Sequence, residues 1–364
     1  MVEWRELGDI CYISDYVSNG SFASLRENVT YRDEPNYAIL IRYADYSNSF
    51  DESKFVYIDE HAYNFLSKSS LEGGEIIMSN VGSCGMFFRC PKLNRKMSLA
   101  PNSILIKSEY IDYLHHWFGS YIGQEAIKKI TSKSAMPKFN KTEFKKIQVP
   151  IPSKEEQARI VSILDTFTDS IANLDAQIKA RRKQYEYYRD QLLDLEGKDG
   201  VEMKILKDLA IIMNGKDYKK LSDGNIPVYG TGGIMAYVDT FAYDKPSVLL
   251  PRKGSVEKIY YVTNPFWTVD TIYWTIIKTE IILPKFLYHA LCKYDLKDYS
   301  YGGGIPSLSQ KILYGLTIPL PSLQEQSRIV SILDQFEESI KNLEAQYELR
   351  KKQYEYYRNQ LLSF

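Results

Sequence analysis

Arg252, Lys253, Gly254 and Ser255 follow one another directly after the apolar run Ser247–Leu250 and Pro251. Two cations, a glycine and a hydroxyl at the exit of a strand suit a polyanion. An arginine fork matches the O6 and N7 acceptors of guanine, while lysine, serine and backbone N–H groups hold phosphate. A second loop, Tyr301 to Gly304 with Gly303 inside it, leads to Ser307 and Lys311 and would let backbone approach a nucleic acid closely. Gly230, Thr231, Gly232 and Gly233 make a third candidate. No Walker lysine–serine pair follows it, so it reads either as a tight turn or, through Thr231 and Gly232, as a backbone-contacting loop. The Arg252 string also reads as a solvated turn, and both readings stand.

The first half of the chain offers counterparts. Asn80, Gly82 and Ser83 follow another apolar run, and residues 128–146 hold Lys128, Lys129, Lys133, Lys138, Lys141, Lys145 and Lys146 against the single acid Glu143. Such a segment is an electrostatic footprint for phosphate or a merely solvated face. Lys133, Lys138 and Lys141 are the candidate contacts, with Arg42 added from the strand ending at Ile41.

Catalytic constellations are missing. Asn264-Pro265-Phe266 lacks the second proline of an adenine-methyltransferase motif, and Glu143-Phe144-Lys145 is too short and common to mark a nuclease. Four histidines lack metal-ligand spacing, so they are expected on helix surfaces or in the core, and no metal site is expected. Cys11, Cys84, Cys90 and Cys292 form no CxxC pair, which points to free thiols in a reducing compartment. Acids and bases balance at 46 each, so a nucleic-acid surface has to be local. Neither a leader nor an 18-residue apolar run stands out, so no membrane is expected and the cytoplasm is the default location.

What positions these loops is a stretch that occurs twice. Ser153–Leu193 and Ser322–Leu362 align without a gap at an offset of 169, with 28 of 41 positions identical. Each copy reads as one long helix. Ser153 with Glu156, and Ser322 with Glu325, form a capping box. The apolar positions Ile160, Leu164, Phe167, Ile171, Leu174 and Ile178, repeated as Ile329, Leu333, Phe336, Ile340 and Leu343, alternate in steps of four and three, a coiled-coil seam. Acids come early and bases late in both copies, which favours antiparallel packing of one copy on the other. Arg181 and Arg350 fall on seam positions. Because an unpaired buried cation is costly, the expected partners are Glu337 or Glu338 for Arg181, and Asp169 or Asp175 for Arg350.

The expected organisation is a first lobe at 1–150, a first helix at 151–196, a second lobe at 197–319 and a second helix at 320–364. The lobes are related: Val2 to Leu7 matches Val201 to Leu206, Gly82-Ser83 answers Gly254-Ser255, and Met136-Pro137 answers Ile305-Pro306. Candidate strands are Tyr37–Ile41, Glu75–Ser79 and Ser103–Lys107, with a helical stretch over Ile111–Ile130. The fold class is mixed α/β (α+β): two lobes separated by an antiparallel coiled coil with a pseudo-two-fold internal repeat.

The junctions Ile151-Pro152-Ser153 with Glu156-Gln157-Ala158-Arg159-Ile160, and Leu320-Pro321-Ser322 with Glu325-Gln326-Ser327-Arg328-Ile329, carry the signature (I/L)P-x-x-x-E-Q-x-R-I twice. With the order lobe, helix, lobe, helix, the whole chain resembles the specificity (S) subunit of type I restriction-modification systems. The first lobe departs from the common pattern in having Asn80 where the second has Arg252. The resemblance implies that each lobe is a target recognition domain reading one half of a split, asymmetric site in double-stranded DNA, with the helix pair setting the spacing. It implies a subunit that is not catalytic and carries no cofactor. Two adenine-N6 methyltransferase (M) subunits with S-adenosylmethionine are its expected partners, joined by restriction (R) subunits using ATP and Mg2+. Tyr187, Arg189, Tyr356 and Arg358 are candidate M-subunit contacts, with packing between helix and lobe as the other reading. A competing class is a protein-binding scaffold that never touches DNA.

Overall fold

The computed structural model describes residues 2–302 and 304–364; the candidate Gly303 lies outside the described residues. By compactness the chain divides into two units, Met1–Asn173 with Tyr347–Phe364, and Leu174–Gln346. Each unit holds one lobe, the adjoining part of one long helix and a part of the other.

Each lobe closes through its own ends. Glu3–Glu6 pairs antiparallel with Gln148–Ile151, and Glu202–Ile205 with Thr317–Leu320. Both lobes then carry the same four-stranded sheet. In the first lobe its order is Tyr12–Asp15, Ser103–Lys107, Ile76–Ser79, Phe87–Arg89; in the second, Ala210–Asn214, Ile272–Ile277, Ser247–Pro251, Tyr260–Val262. Ile76–Ser79 and Ser247–Pro251 are buried along their whole length, which is why they read as continuous apolar runs and not as alternating ones. Helix Ile111–Gly119 packs Leu114, Trp117 and Phe118 onto the first sheet, and Pro284–Leu291 packs Phe286, Leu287 and Leu291 onto the second.

The helical stretch expected over Ile111–Ile130 is two helices, Ile111–Gly119 and Tyr121–Ile130. Ser120 makes the corner, its hydroxyl accepting from the Gly123 N–H at 3.1 Å. A Cβ at Gly123 would stand 2.1 Å from the Trp117 carbonyl oxygen, so only glycine permits so tight a bend.

The lobes diverge in their second layer. The first has a sheet of Val56–Ile58, Ala38–Ile41, Lys96–Leu99 and Ser70–Leu71; the second has the hairpin Asp223–Gly230 and Gly233–Val238 with Trp267–Thr268 alongside.

The repeated stretches are single helices, Lys154–Leu192 and Leu323–Leu361, of 39 residues each. Their caps are half of the expected box. Ser153 Oγ accepts from the Glu156 N–H and Ser322 Oγ from the Glu325 N–H, both at 3.3 Å. The carboxylates turn forward instead, Glu156 to Arg159 and Glu325 to Arg328, each pair held by two hydrogen bonds. A bidentate guanidinium is a stronger partner than one backbone N–H.

Within each unit the helices run antiparallel. In the first, Phe167 stacks on Tyr357 with centroids 5.4 Å apart, while Ile160 and Leu164 join Leu362 in the lobe core. In the second, Tyr188 stacks on Phe336 at 5.3 Å, while Ile329 and Leu333 join Leu193 and the other lobe core. The four outer seam residues therefore serve the lobes as much as the helix pair. Ile178 is buried, whereas Phe167, Ile171, Leu174, Phe336, Ile340 and Leu343 are half-buried.

The expected acid partners of the seam arginines are absent: among the described residues neither has a carboxylate within ion-pair distance. Arg181 lies over the Phe336 ring, 5.8 Å from its centroid, and Arg350 over Phe167 at 5.6 Å. A ring face offers a cation its negative quadrupole without a second charge to desolvate. The inter-helix ion pair falls one residue later, between Arg182 and Glu344.

Candidate nucleic-acid interface

In the second lobe the strand Ser247–Pro251 delivers Arg252 into a loop tied down from both sides. The N–H groups of Arg252 and Lys253 both donate to the Thr271 carbonyl, at 2.9 and 3.1 Å; Gly254 N–H donates to Pro306 O at 3.0 Å, and Leu308 N–H to Arg252 O at 2.9 Å. Lys253 forms a β-bridge with Ser307. Gly254 has φ +86°, a left-handed conformation that glycine adopts without strain. Thr231 Oγ1 lies 3.5 Å from where a Gly254 Cβ would be, so the Thr231–Gly232 turn adjoins the same loop. That turn is the tight one between two hairpin strands, and the Tyr260 hydroxyl donates to its Thr231 carbonyl at 3.0 Å.

Here the side chains divide. The Arg252 guanidinium donates once, through Nη1 to the Asp270 carbonyl at 3.1 Å, and lies 5.7 Å from the Tyr273 ring centroid. Among the described residues its other donors have no hydrogen-bond acceptor. Lys253, Ser255 and Lys311 are exposed, and among the described residues neither lysine has a carboxylate partner.

The first lobe repeats this backbone. Gly82 N–H donates to Pro137 O at 2.8 Å and Phe139 N–H to Asn80 O at 3.1 Å. Val81 bridges Lys138, and Gly82 has φ +76°. The two segments singled out from sequence, Asn80–Ser83 and the lysine-rich stretch, are thus hydrogen-bonded together. Asn80 occupies the place of Arg252, but its Oδ1 is buried and has no hydrogen-bond partner among the described residues. Ser83, Lys133 and Lys138 are exposed.

Two candidates do not join this surface. Lys141 is half-buried and pairs with Asp15 at 3.1 Å and with the Ser18 hydroxyl. Arg42 spends its guanidinium on Asp45, 2.6 Å away and 1% exposed, and on the Lys54 carbonyl at 2.7 Å. A carboxylate that deep needs its cation. The basic stretch is further reduced by pairs Lys128–Glu125 and Lys146–Glu143.

Sequence reading missed Lys216, Lys219 and Lys220, which are exposed. They are tied to the same end of the second lobe, because Lys216 N–H donates to Thr268 O and Trp267 Nε1 to Lys216 O, both within 2.9 Å. The signal was present as three lysines in five residues, broken by Asp217.

The family model for the type I restriction-modification DNA specificity domain matches residues 1–181 and again 198–350. The chain belongs to that family. The specificity subunit of EcoR124I/EcoR124II from Escherichia coli is 34% identical over 259 residues, 60% of this chain and 63% of that subunit. An S subunit from M. genitalium shares the fold with a TM-score of 0.63 at 17% identity, covering 100% of this chain and 97% of the other. A chain from a type I system solved in a study of complex assembly and conformational transition gives 0.61 at 13% identity, over 99% and 97%. The repeat and the locked loops are thus those of two DNA specificity domains in one chain.

The specificity chain also shows how its signature residues work. Gln157 donates to the Pro152 carbonyl at 2.8 Å; Gln326, fully buried, donates to Pro321 O and Ile281 O and accepts from Leu283 N–H. In the second copy the glutamine of E-Q-x-R therefore ties helix to lobe, in the first it closes on the residue before the cap, and in both the Arg–Glu pair stays at the surface. Of the candidate partner contacts, Tyr187 and Tyr356 are each 61% exposed. Arg189 turns to Asp190 and over Tyr185, and Arg358 lies over Tyr354 at 5.0 Å. These partners lie on each arginine's own long helix.

Two histidines sit where the helices meet the lobes, and burial lowers the pKa of both. His289, Asp334 and Glu337 could hold a cation by their spacing. Lys285 already supplies one, its Nζ 3.0 Å from Asp334 and 2.8 Å from Glu337.

No described helix is long and apolar enough to cross a membrane.

Proposed function

We propose that each lobe reads one half of a bipartite, asymmetric duplex site, with the helix pair setting the spacing between halves. The observation carrying this reading is the shared loop geometry: Asn80–Ser83 locked to Pro137–Phe139, and Arg252–Ser255 locked to Pro306–Leu308, with the same two hydrogen bonds and the same left-handed glycine. Equal backbones holding unequal side chains suit two readers of different half-sites. Arg252 reads a base edge, Lys253, Ser255, Thr231, Gly232, Ser307 and Lys311 hold phosphate, and Lys216, Lys219 and Lys220 extend that surface. In the first lobe Asn80, Gly82, Ser83, Lys133 and Lys138 take these parts.

The chain works in the cytoplasm as a non-catalytic subunit. Methyl transfer from S-adenosylmethionine takes place on two methyltransferase subunits docked through Tyr187 and Tyr356, and any ATP- and Mg2+-dependent cleavage on restriction subunits. Sequencing N6-methyladenine in cells with and without the gene tests this. One bipartite motif should disappear with the gene. An unchanged methylome would overturn the reading and favour a scaffold that binds only proteins.

A further inference from the structure

The two helix–lobe joints contain the same three-residue device, although the sequence aligns only part of it. In the first unit His116, on the lobe helix and 2% exposed, contacts Asp165 of the first long helix through Nε2 at 2.8 Å and the Tyr354 hydroxyl of the second through Nδ1 at 3.2 Å. In the second unit His289, fully buried, contacts the Tyr185 hydroxyl through Nδ1 at 3.0 Å, and its Nε2 faces Asp334 at 3.5 Å without making a hydrogen bond among the described residues. Asp165 and Asp334 are 169 apart, as are Tyr185 and Tyr354, but His116 and His289 are 173 apart. The lobes diverged around their histidines, yet each histidine still faces one aspartate and one tyrosine, contributed by different helices.

From this we infer that His116 and His289 are positioning residues that set the spacing between half-sites. The inference rests on the bipartite reading above. An apolar joint holds a lobe by area and shape. A buried imidazole aimed at both helices adds direction, fixing where the lobe stands along the pair and how it is turned about it. One additional base pair between half-sites asks for about 3.4 Å of travel and about 35° of rotation. Hydrogen bonds of 2.7–3.2 Å tolerate neither, so each joint excludes sites that are one pair too long or too short.

The test compares N6-methyladenine at genomic sites whose spacers equal the native length or differ by one pair, in cells carrying the complete system. His116→Leu and His289→Leu should each raise the modified fraction at off-length sites, relative to native-length sites, by roughly tenfold, the worth of one or two hydrogen bonds. Neither should change the bases read in either half. Tyr354→Phe and Tyr185→Phe remove a single hydroxyl each and should shift the same ratio by about threefold, so the test survives a leucine variant that fails to fold. A histidine that merely stabilises the fold would lower modification at every spacer alike. An unchanged ratio in the phenylalanine variants overturns the inference. A wild type that modifies no bipartite motif overturns the underlying reading instead.

Discussion

Removing Arg252 should relax one base position and leave the rest of the site intact. Its main chain is held by the Thr271 carbonyl and the Leu308 N–H, both at 2.9 Å, and its guanidinium is braced by the Asp270 carbonyl and the Tyr273 ring. Among the described residues one of its five N–H donors is used internally, which leaves a fork for guanine O6 and N7. A bidentate contact of that kind contributes about 1–3 kcal/mol of discrimination, or roughly 5- to 150-fold. Arg252→Ala should reduce preference for the cognate base by that factor, seen as one degenerate position in one half of the methylated motif. Arg252→Lys should fail to restore it, because a point charge cannot replace the fork. Band shifts of the complex with its methyltransferase subunits, on cognate and singly substituted duplexes across a salt series, supply the magnitude. If Arg252 instead touched phosphate, affinity would fall equally on every duplex and the salt slope would drop by about 0.9. That result, or a change in both halves of the motif, would refute base reading by this residue.

The ring partners of the seam arginines predict a double-mutant cycle: Arg181→Met and Phe336→Leu should couple by about 0.5–1 kcal/mol in urea denaturation, whereas Arg181 with Glu337 or Glu338 should couple less, and the opposite order would restore the ion-pair picture. Stability should also fall in mild acid. Burial pulls His115 down to about 4, and also lowers His116, which faces Asp165, Asp112 and Arg358, and His289, which faces Glu337, Lys285 and Asp334. The unfolded chain binds these protons near pH 6.5 and the folded chain only below it, so stability is whole above about pH 7 and is lost on acidification, by up to about 1.4 kcal/mol per pH unit for each histidine, with His115 contributing down to about pH 4. Urea midpoints at pH 7.5, 6 and 5 check the direction, and a midpoint that rises on acidification contradicts it.

The helices were legible because their signals are local and repeated: a serine cap, an unbroken run, a seam with steps of four and three. The lobe relationship was legible where backbone demands a residue type, as at Gly82 and Gly254. What was hidden depended on partners distant in sequence. Nothing near Lys141 announces that Asp15 claims it, and Asp45, although only three residues after Arg42, gave no sign in sequence that it would be buried. Heptad position showed that Arg181 needed a partner but not that Phe336, rather than a neighbouring acid, would provide it. The histidines looked like ordinary core or surface residues, because each acquires its meaning from two helices, one of them more than a hundred residues away. The break at Ser120 turned on a clearance between Gly123 and the Trp117 carbonyl, which periodicity does not contain.

The internal repeat separates what both lobes must share from what must differ. Features that recur in place are joints: the E-Q-x-R junctions, the stacked pairs Phe167–Tyr357 and Tyr188–Phe336, and the histidines between aspartate and tyrosine. Features that differ at an equal backbone position are the side chains the loops carry, Asn80 against Arg252 and Val81 against Lys253. The second layers differ outright, a mixed sheet in one lobe and a hairpin in the other. A molecule selected for a fixed distance between two independent sequence readings would be built this way. Under the bipartite reading proposed above, changing a reader leaves the distance alone, because the Arg252 and Asn80 loops and the histidine joints lie on different elements of each lobe.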